Sequence, residues 1–358
     1  MVSDLETLIQ FAPVSTNPTA IAALLDFVQE RLIRRGLHVT RIEHNHTYSL
    51  YASTTGKSHT RVLLQGHVDV VPNGQAFRRD GDRIYGRGSY DMLFAVSSYL
   101  RLIDELDDPS AHDIGLLLTG DEELGGLDGV GALMSKPHYT CDVCITPDAG
   151  DAFGDLSIAA KGIYQLIIEV TGRAHHGSRP WEGDGAAAKA ARLVSILQDD
   201  FDTDDPTNST LTVSYIEAGQ VTALNQAPGT ARIGLDVRFT DDVAYEHMAT
   251  RIQSVCADFD AYILEQRRSE AFELDVENRF VSEFLEQYAQ AIERQPQLSK
   301  AHGSSDARFF AAHGIPVIML RPDGNGAHGD EEWLSLSSWE QFHRLLDGYV
   351  RSVSKITP

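Results

Sequence analysis

Two histidines and a set of carboxylates are spaced so that they could hold metal ions. His67 and Asp69 stand two apart in Gly66-His67-Val68-Asp69-Val70-Val71-Pro72. On extended backbone both side chains leave on the same side, so the Asp69 carboxylate is expected to accept a hydrogen bond from one ring nitrogen of His67. The other nitrogen then keeps its lone pair with the tautomer set, as in carboxylate-supported metal histidines. Asp91 ends the glycine-bearing run Gly86-Arg87-Gly88-Ser89-Tyr90-Asp91. Glu122 and Glu123 follow Asp121, Asp148 ends Thr146-Pro147-Asp148, and His328 ends Arg321-Pro322-Asp323-Gly324-Asn325-Gly326-Ala327-His328. Taken singly, each is more often a satisfied polar turn than a site. Taken together, two imidazoles and several carboxylates form a donor set suited to zinc, or to cobalt or manganese. Five ligands exceed what one open tetrahedral site takes, and they suit two ions about 3.5–4 Å apart with one carboxylate bridging. Side chains of adjacent residues diverge, so one of Glu122 and Glu123 can bind metal while the other faces a water as general base.

The elements that must position these groups can be read from apolar patterning. Residues 61–65, 113–119, 142–145 and 316–320 are short apolar runs expected to form buried strands, and each candidate cluster but that at Asp91 lies just beyond one of them. Helical patterns over 4–35 (interrupted at Thr16-Asn17-Pro18, which could cap the second segment), 92–106, 129–134, 281–294 and 306–313 alternate with strands. Strand–helix alternation implies a mainly parallel sheet in an α/β catalytic domain, with ligands at the carboxyl edge of the sheet. From residue 161 the order changes to strand 164–171, helix 185–198, strands 210–217 and 231–240, helix 242–259 and strand 261–266. That is the β-α-β-β-α-β order of a ferredoxin-like α+β unit. The expected organisation is therefore a catalytic domain in two parts, 1–160 and 273–358, around an inserted domain at 161–272.

The chain has 358 residues, of which 42% are hydrophobic and 23% charged, an ordinary globular composition. Acidic residues outnumber basic ones 52 to 30, and the formal charge of −22 argues against nucleic acid or an anionic membrane as partner. The start carries no basic segment followed by an apolar one, and no apolar run reaches membrane-spanning length. Three cysteines do not make a disulfide framework, so a cytoplasmic protein is expected. Cys141 and Cys144 form a C-x-x-C inside a strand pattern, where positions three apart face opposite ways, and they are not expected to bind metal.

The motifs also carry a resemblance. The runs quoted above, with His176-Gly177-Ser178-Arg179-Pro180-Trp181-Glu182-Gly183, Asn225-x-x-Pro228, Asp236-x-Arg238 and Ser305-Asp306-Ala307-Arg308-Phe309, resemble in order and nearly end to end the dinuclear zinc amidohydrolases and exopeptidases. That family includes acetylornithine deacetylase, succinyl-diaminopimelate desuccinylase, aminoacylase and carboxypeptidase G. The resemblance implies a zinc exopeptidase-like catalytic domain with an inserted lid that serves as a dimerisation module. It implies His67 and Asp148 on one metal, Glu123 and His328 on the other, Asp91 bridging, Glu122 as general base and Asp69 orienting His67. In the lid it implies His176 as an oxyanion donor, commonly to the partner subunit's site, and Asn225 and Arg238 as binders of the substrate carboxylate or carbonyl. Read as a bare residue, Arg238 could equally be a structural ion pair with an acid of its own domain. The expected activity is metal-dependent cleavage of an N-acyl amino acid. A dipeptidase or carboxypeptidase, or an inactive binding homologue, is the alternative. Two departures stand out. Leu93-Phe94-Ala95 follows Asp91-Met92 where relatives usually have Lys-Gly-Gly, so Phe94 must find room or reshape the pocket floor, and Gly185 stands where an asparagine commonly caps a helix.

Overall fold

The structure, a computed structural model, describes residues 1–135, 139–150, 152–201, 205, 207–301, 303 and 305–356. The chain divides into two compact units, one built from Met1–Ile158, Glu273–Ala301 and Ser305–Pro358, the other from Ala159–Phe272.

In the first unit a six-stranded sheet runs, from one edge, His38–His44, Thr47–Ser53, Ile114–Thr119, His59–His67, Thr140–Ile145 and Val317–Ile318. The first two pairings are antiparallel and the next three parallel. Every residue of Ile114–Thr119 is buried, as expected of a strand covered on both faces. Helix Leu93–Glu105 makes the crossover between His59–His67 and Ile114–Thr119 that parallel neighbours require. Helix Pro18–Arg34 starts where Thr16-Asn17-Pro18 predicted. Asn17 Oδ1 accepts from the Ala20 N–H at 3.2 Å, and Ile21, Leu24, Leu25, Val28 and Leu32 form its buried stripe. Phe94 finds room in the core: it is fully buried and meets Phe342 edge-on, centroids 5.8 Å apart at 76°.

Two of the elements that the sequence reading does not assign bear on the site. A small antiparallel sheet joins Gly324–Asn325, Trp333–Ser335, Arg83–Tyr85 and Arg78–Asp80 in that order. The second is helix Leu336–Ser354, capped by Ser335, whose Oγ accepts from the Ser338 N–H. It buries Trp339, Phe342, Leu346, Tyr349 and Val350. The Trp339 ring is fully buried, and its Nε1–H donates to Ser98 Oγ at 2.7 Å. Trp339→Ala is expected to cost about 3–5 kcal/mol through the cavity left behind, read as a lower midpoint in denaturant unfolding.

The second unit is the expected ferredoxin-like arrangement. Its strands stand in the order Thr210–Ala218, Thr230–Phe239, Gly162–Thr171, Ala261–Ser269, antiparallel throughout. Helices Ala186–Asp199 and Asp242–Asp258 belong to the same unit, where Leu193, Leu197, Ile252 and Val255 join Leu166, Ile168 and Val170 in one core. Gly185 caps the first of these helices without a side-chain bond, the modest loss its identity implied. The three cysteines are free and buried. Among the described residues no helix is long and apolar enough to cross a membrane.

Candidate metal centre

Strand register brings the clusters together. His67 ends its strand level with Thr119, and Leu64 pairs with Ile145, so the chain reaches Asp148 at about the height where the neighbouring strand reaches His67. The His67 ring is buried. Its Nδ1 lies 2.9 Å from the carbonyl of Asp69 and 3.6 Å from that residue's Oδ1. A carbonyl can only accept, so Nδ1 carries a proton, and Nε2 is the nitrogen turned to the carboxylates, whose lone pair becomes available to a cation once its own proton is displaced. The tautomer is the expected one, but its support is the Asp69 main chain. The Asp69 carboxylate, wholly buried, accepts instead from the backbone N–H groups of Glu122 and Glu123, each at 3.2 Å. It therefore orients the turn that carries the two glutamates.

His67 Nε2 faces Asp91 Oδ1 at 3.2 Å and Asp148 Oδ1 at 3.8 Å. His328 Nε2 faces the other oxygen of the same carboxylate, Asp91 Oδ2, at 3.2 Å, and Glu123 Oε2 at 2.9 Å. Two donor groups result, His67 with Glu122 and Asp148, and Asp91 with Glu123 and His328, and within each group the donor atoms lie within 4.8 Å of one another. Donors sharing one zinc at about 2.0–2.2 Å would stand roughly 3–4 Å apart, close to the 3.8 Å from His67 to Asp148 and the 3.2 and 2.9 Å from His328 to Asp91 and Glu123. The adjacent glutamates diverge as expected, Glu123 toward His328 and Glu122 toward His67 and Asp148. His328 takes the left-handed region at φ 63°, a conformation costing on the order of 1–3 kcal/mol and typical of functional sites.

The charges explain why such a cluster wants cations. Burial, then the charge of Asp148, pushes the Glu122 carboxyl well above its ordinary value, and burial, with Asp91 adding to it, pushes Glu123 up to about 7. Burial likewise raises Asp148. Burial would raise Asp91 too, but the imidazoles of His328 and His67 outweigh it and hold Asp91 well below the carboxylate range. The hydrogen bond to Asp91 lifts His328 to about 9. Burial opposes a proton on His67, yet Asp148 and Asp91 hold it well above the ordinary histidine value. Three carboxylates and two imidazoles crowded around the Asp91 carboxylate are thus shifted toward holding protons that divalent cations would displace, the behaviour of a metal site.

Several supporting residues were not given a role from the sequence. Asp306, buried and pushed up to about 7 chiefly by that burial, accepts from Gln65 Nε2 at 3.0 Å beneath the site. Asp121 accepts the N–H groups of Asp128 and Gly129, both at 2.9 Å, and closes the loop after the glutamates. Arg321 lies over the Tyr90 ring at 4.1 Å and donates to the Gly150 carbonyl at 2.6 Å. Glu332 is buried while its neighbours Asp330 and Glu331 are exposed, a distinction no sequence signal carries.

His176, Asn225 and Arg238 all lie in the second unit. His175–His176 pairs with Gln226–Ala227, and the Asn225 carbonyl accepts from the Gly177 N–H at 2.7 Å, so His176 and Asn225 are neighbours. The Ser178 backbone N–H donates to His176 Nδ1 at 3.2 Å, which leaves the neutral ring's proton on Nε2. Arg238 makes a two-pronged ion pair with Asp236, Nε to Oδ1 at 2.6 Å and Nη2 to Oδ2 at 3.1 Å, the structural pairing that its sequence also allowed.

Residues 63–352 match the sequence profile of peptidase family M20/M25/M40. The chain is similar to the succinyl-diaminopimelate desuccinylase of Dinoroseobacter shibae, 28% identical with 91% of this chain and 93% of that one covered. It is also similar to the enzyme of that name from Helicobacter pylori, 26% identical over 81% of this chain and 79% of that one. In fold it is similar to a tripeptidase from Staphylococcus aureus (TM-score 0.83, 19% identical, 98% and 97% of the two chains covered). A further similar fold is an M20 family metallo-carboxypeptidase from Sulfolobus solfataricus (TM-score 0.77, 16% identical, 98% and 99% covered).

Proposed function

The chain belongs to peptidase family M20/M25/M40 and is a metallohydrolase, and from that premise we propose that it cleaves the amide bond of an N-acyl amino acid at a two-ion centre. The observation that carries this reading is Asp91, one carboxylate with an oxygen toward each of two histidines. In the proposal His67 and Asp148 hold one divalent ion, Glu123 and His328 hold the other, and Asp91 is shared. When bound, two such ions, zinc foremost and cobalt or manganese as substitutes, lower the pKa of a water toward neutrality and polarise the substrate carbonyl.

Glu122 would take a proton from the attacking water as its oxygen adds to the carbonyl, and would give that proton to the amine as the C–N bond breaks. Its backbone is held for the task by Asp69, and burial raises its carboxyl above the ordinary value. His176, exposed and with Nδ1 engaged by Ser178, serves as the oxyanion donor. Asn225 receives the substrate's free carboxylate, helped by the edge of Arg238 turned away from Asp236. The second unit also serves as the dimerisation module, and the three free cysteines accord with a reducing cytoplasm.

The desuccinylase relatives support an acylated amino acid over a peptide as substrate. The test is a panel of N-acetyl and N-succinyl amino acids beside dipeptides, assayed with zinc- and cobalt-loaded protein. Turnover of the acylated amino acids is expected. Turnover confined to dipeptides would replace the deacylase with an exopeptidase acting through the same groups. Stoichiometric metal without hydrolysis of any amide would make the chain an inactive binder.

A further inference from the structure

Asp91 and His328 come from different loops, so the spacing between them depends on how those loops are tied. One buried side chain gathers the tie. Glu332 Oε1 accepts from the backbone N–H groups of Tyr90 at 2.8 Å and Asp91 at 3.0 Å. Its Oε2 accepts from the Gly88 N–H at 3.0 Å and Arg87 Nη1 at 2.8 Å. Arg87 then donates from Nη2 to the carbonyl of Gly329, the residue after His328, at 2.8 Å. One guanidinium therefore grips both the carboxylate that shapes the Asp91 loop and the main chain that carries His328.

The surroundings are built to admit this pair. A Cβ on Gly74 would fall 2.0 Å from Arg87 Cβ, so the chain passes there only as glycine. The Glu332 main-chain carbonyl accepts from Gly86 N–H at 3.3 Å and Gln75 Nε2 at 2.9 Å, beside the Trp333 to Tyr85 pairing of the small sheet.

Two physical arguments separate this arrangement from ordinary packing. A carboxylate offers about four acceptor sites, and four donors occupy those of Glu332, so its chemistry is directed at the loop and not at a ligand. A buried ion pair is also a poor source of stability, since apolar residues of similar volume commonly do as well or better. What the pair supplies is geometry, with two parallel attachments that a point charge could not make.

We propose that Arg87 and Glu332 form a positioning clasp that sets the distance between Asp91 and His328, and thereby the affinity of the ion those residues share with Glu123. The inference rests on the two-ion reading above. Arg87 and Glu332 are positioning residues that act on the reaction only through the ligands.

The test is calorimetric titration of the metal-free full chain with Zn²⁺, repeated with Co²⁺ while its visible absorption reports the coordination of each ion. Melting temperatures of the metal-free proteins are recorded alongside. Wild type is expected to bind two ions. Glu332→Gln and Arg87→Met are each expected to bind the ion shared by Asp91, Glu123 and His328 about 10–100-fold more weakly, and the other ion with a clearly smaller loss, since Asp91 serves it too while the clasp does not reach His67 or Asp148. In the double variant the losses should not add, because both substitutions open the same clasp. Arg87→Lys keeps the charge beside Glu332 but cannot span both Glu332 and Gly329, and the same selective loss is expected of it; it carries the test if Glu332→Gln does not fold. Variants that bind both ions with wild-type affinity, or that weaken both equally, would overturn the clasp while leaving the two-ion centre standing. A wild type that binds fewer than two ions would overturn the centre itself, and the clasp with it.

Discussion

Glu122→Gln is expected to lower kcat by about 10²–10⁴-fold with both metal ions still bound. The amide keeps the size and hydrogen-bonding reach of the carboxylate but cannot take a proton from water at neutral pH. Glu122 and Glu123 are neighbours on one turn, both held by the Asp69 carboxylate, so the substitution leaves that turn its backbone anchors. Only Glu123 lies 2.9 Å from His328, which makes it the ligand of the pair, whereas Glu122 stands among donors that already include His67 and Asp148. Metal analysis beside steady-state kinetics separates the two roles. Retained metal with lost turnover marks a proton carrier, and lost metal would mean that the roles of Glu122 and Glu123 must be exchanged.

Asp91→Ala is expected to affect both ions at once, because each oxygen of that carboxylate faces a different histidine at 3.2 Å. Activity should fall to background. The decisive readout is thermal: an ion present at a hundred times its dissociation constant stabilises the folded state by about 2.7 kcal/mol. Wild-type protein should therefore melt higher with added zinc than with chelator, and Asp91→Ala should melt at nearly the same temperature in both. A variant that keeps half of the metal-dependent shift would show Asp91 to serve one ion only. Asp148→Ala makes the useful contrast, since Asp148 approaches His67 alone among the two histidines and should weaken one ion while sparing the other.

The sequence carried more of this than a single motif could. Alternating apolar runs and helical stripes placed the strands that end at His67, Thr119 and Ile145, and the glutamates and Asp148 follow the last two directly. The β-α-β-β-α-β order of the second unit was equally legible, because alternation along strands such as Gly162–Thr171 and spacing along helices such as Ala186–Asp199 are local properties. Helix Leu336–Ser354 was readable in principle, with a serine cap and an apolar stripe through Trp339, Phe342 and Leu346, but it passed unassigned. The same local information misdirected the reading of Asp69. Two residues apart on a strand suggested a carboxylate under the imidazole, whereas the chain turns after His67 and offers a carbonyl there, freeing the carboxylate for the glutamate turn.

By itself, then, the order of residues determined which donors the protein possesses and at which strand ends they emerge, because side-chain facing and strand burial follow from periods of a few residues. Only the tertiary structure decided how those donors pair: Asp91 between two histidines, Glu123 against His328, Arg238 taken by Asp236, and Glu332 buried where Asp330 and Glu331 are not. Those distances depend on strand register and on loops closing against each other from far parts of the chain. No local pattern encodes such closures, since the free energy that selects them comes from burial and hydrogen bonding shared among segments that meet only in the folded state.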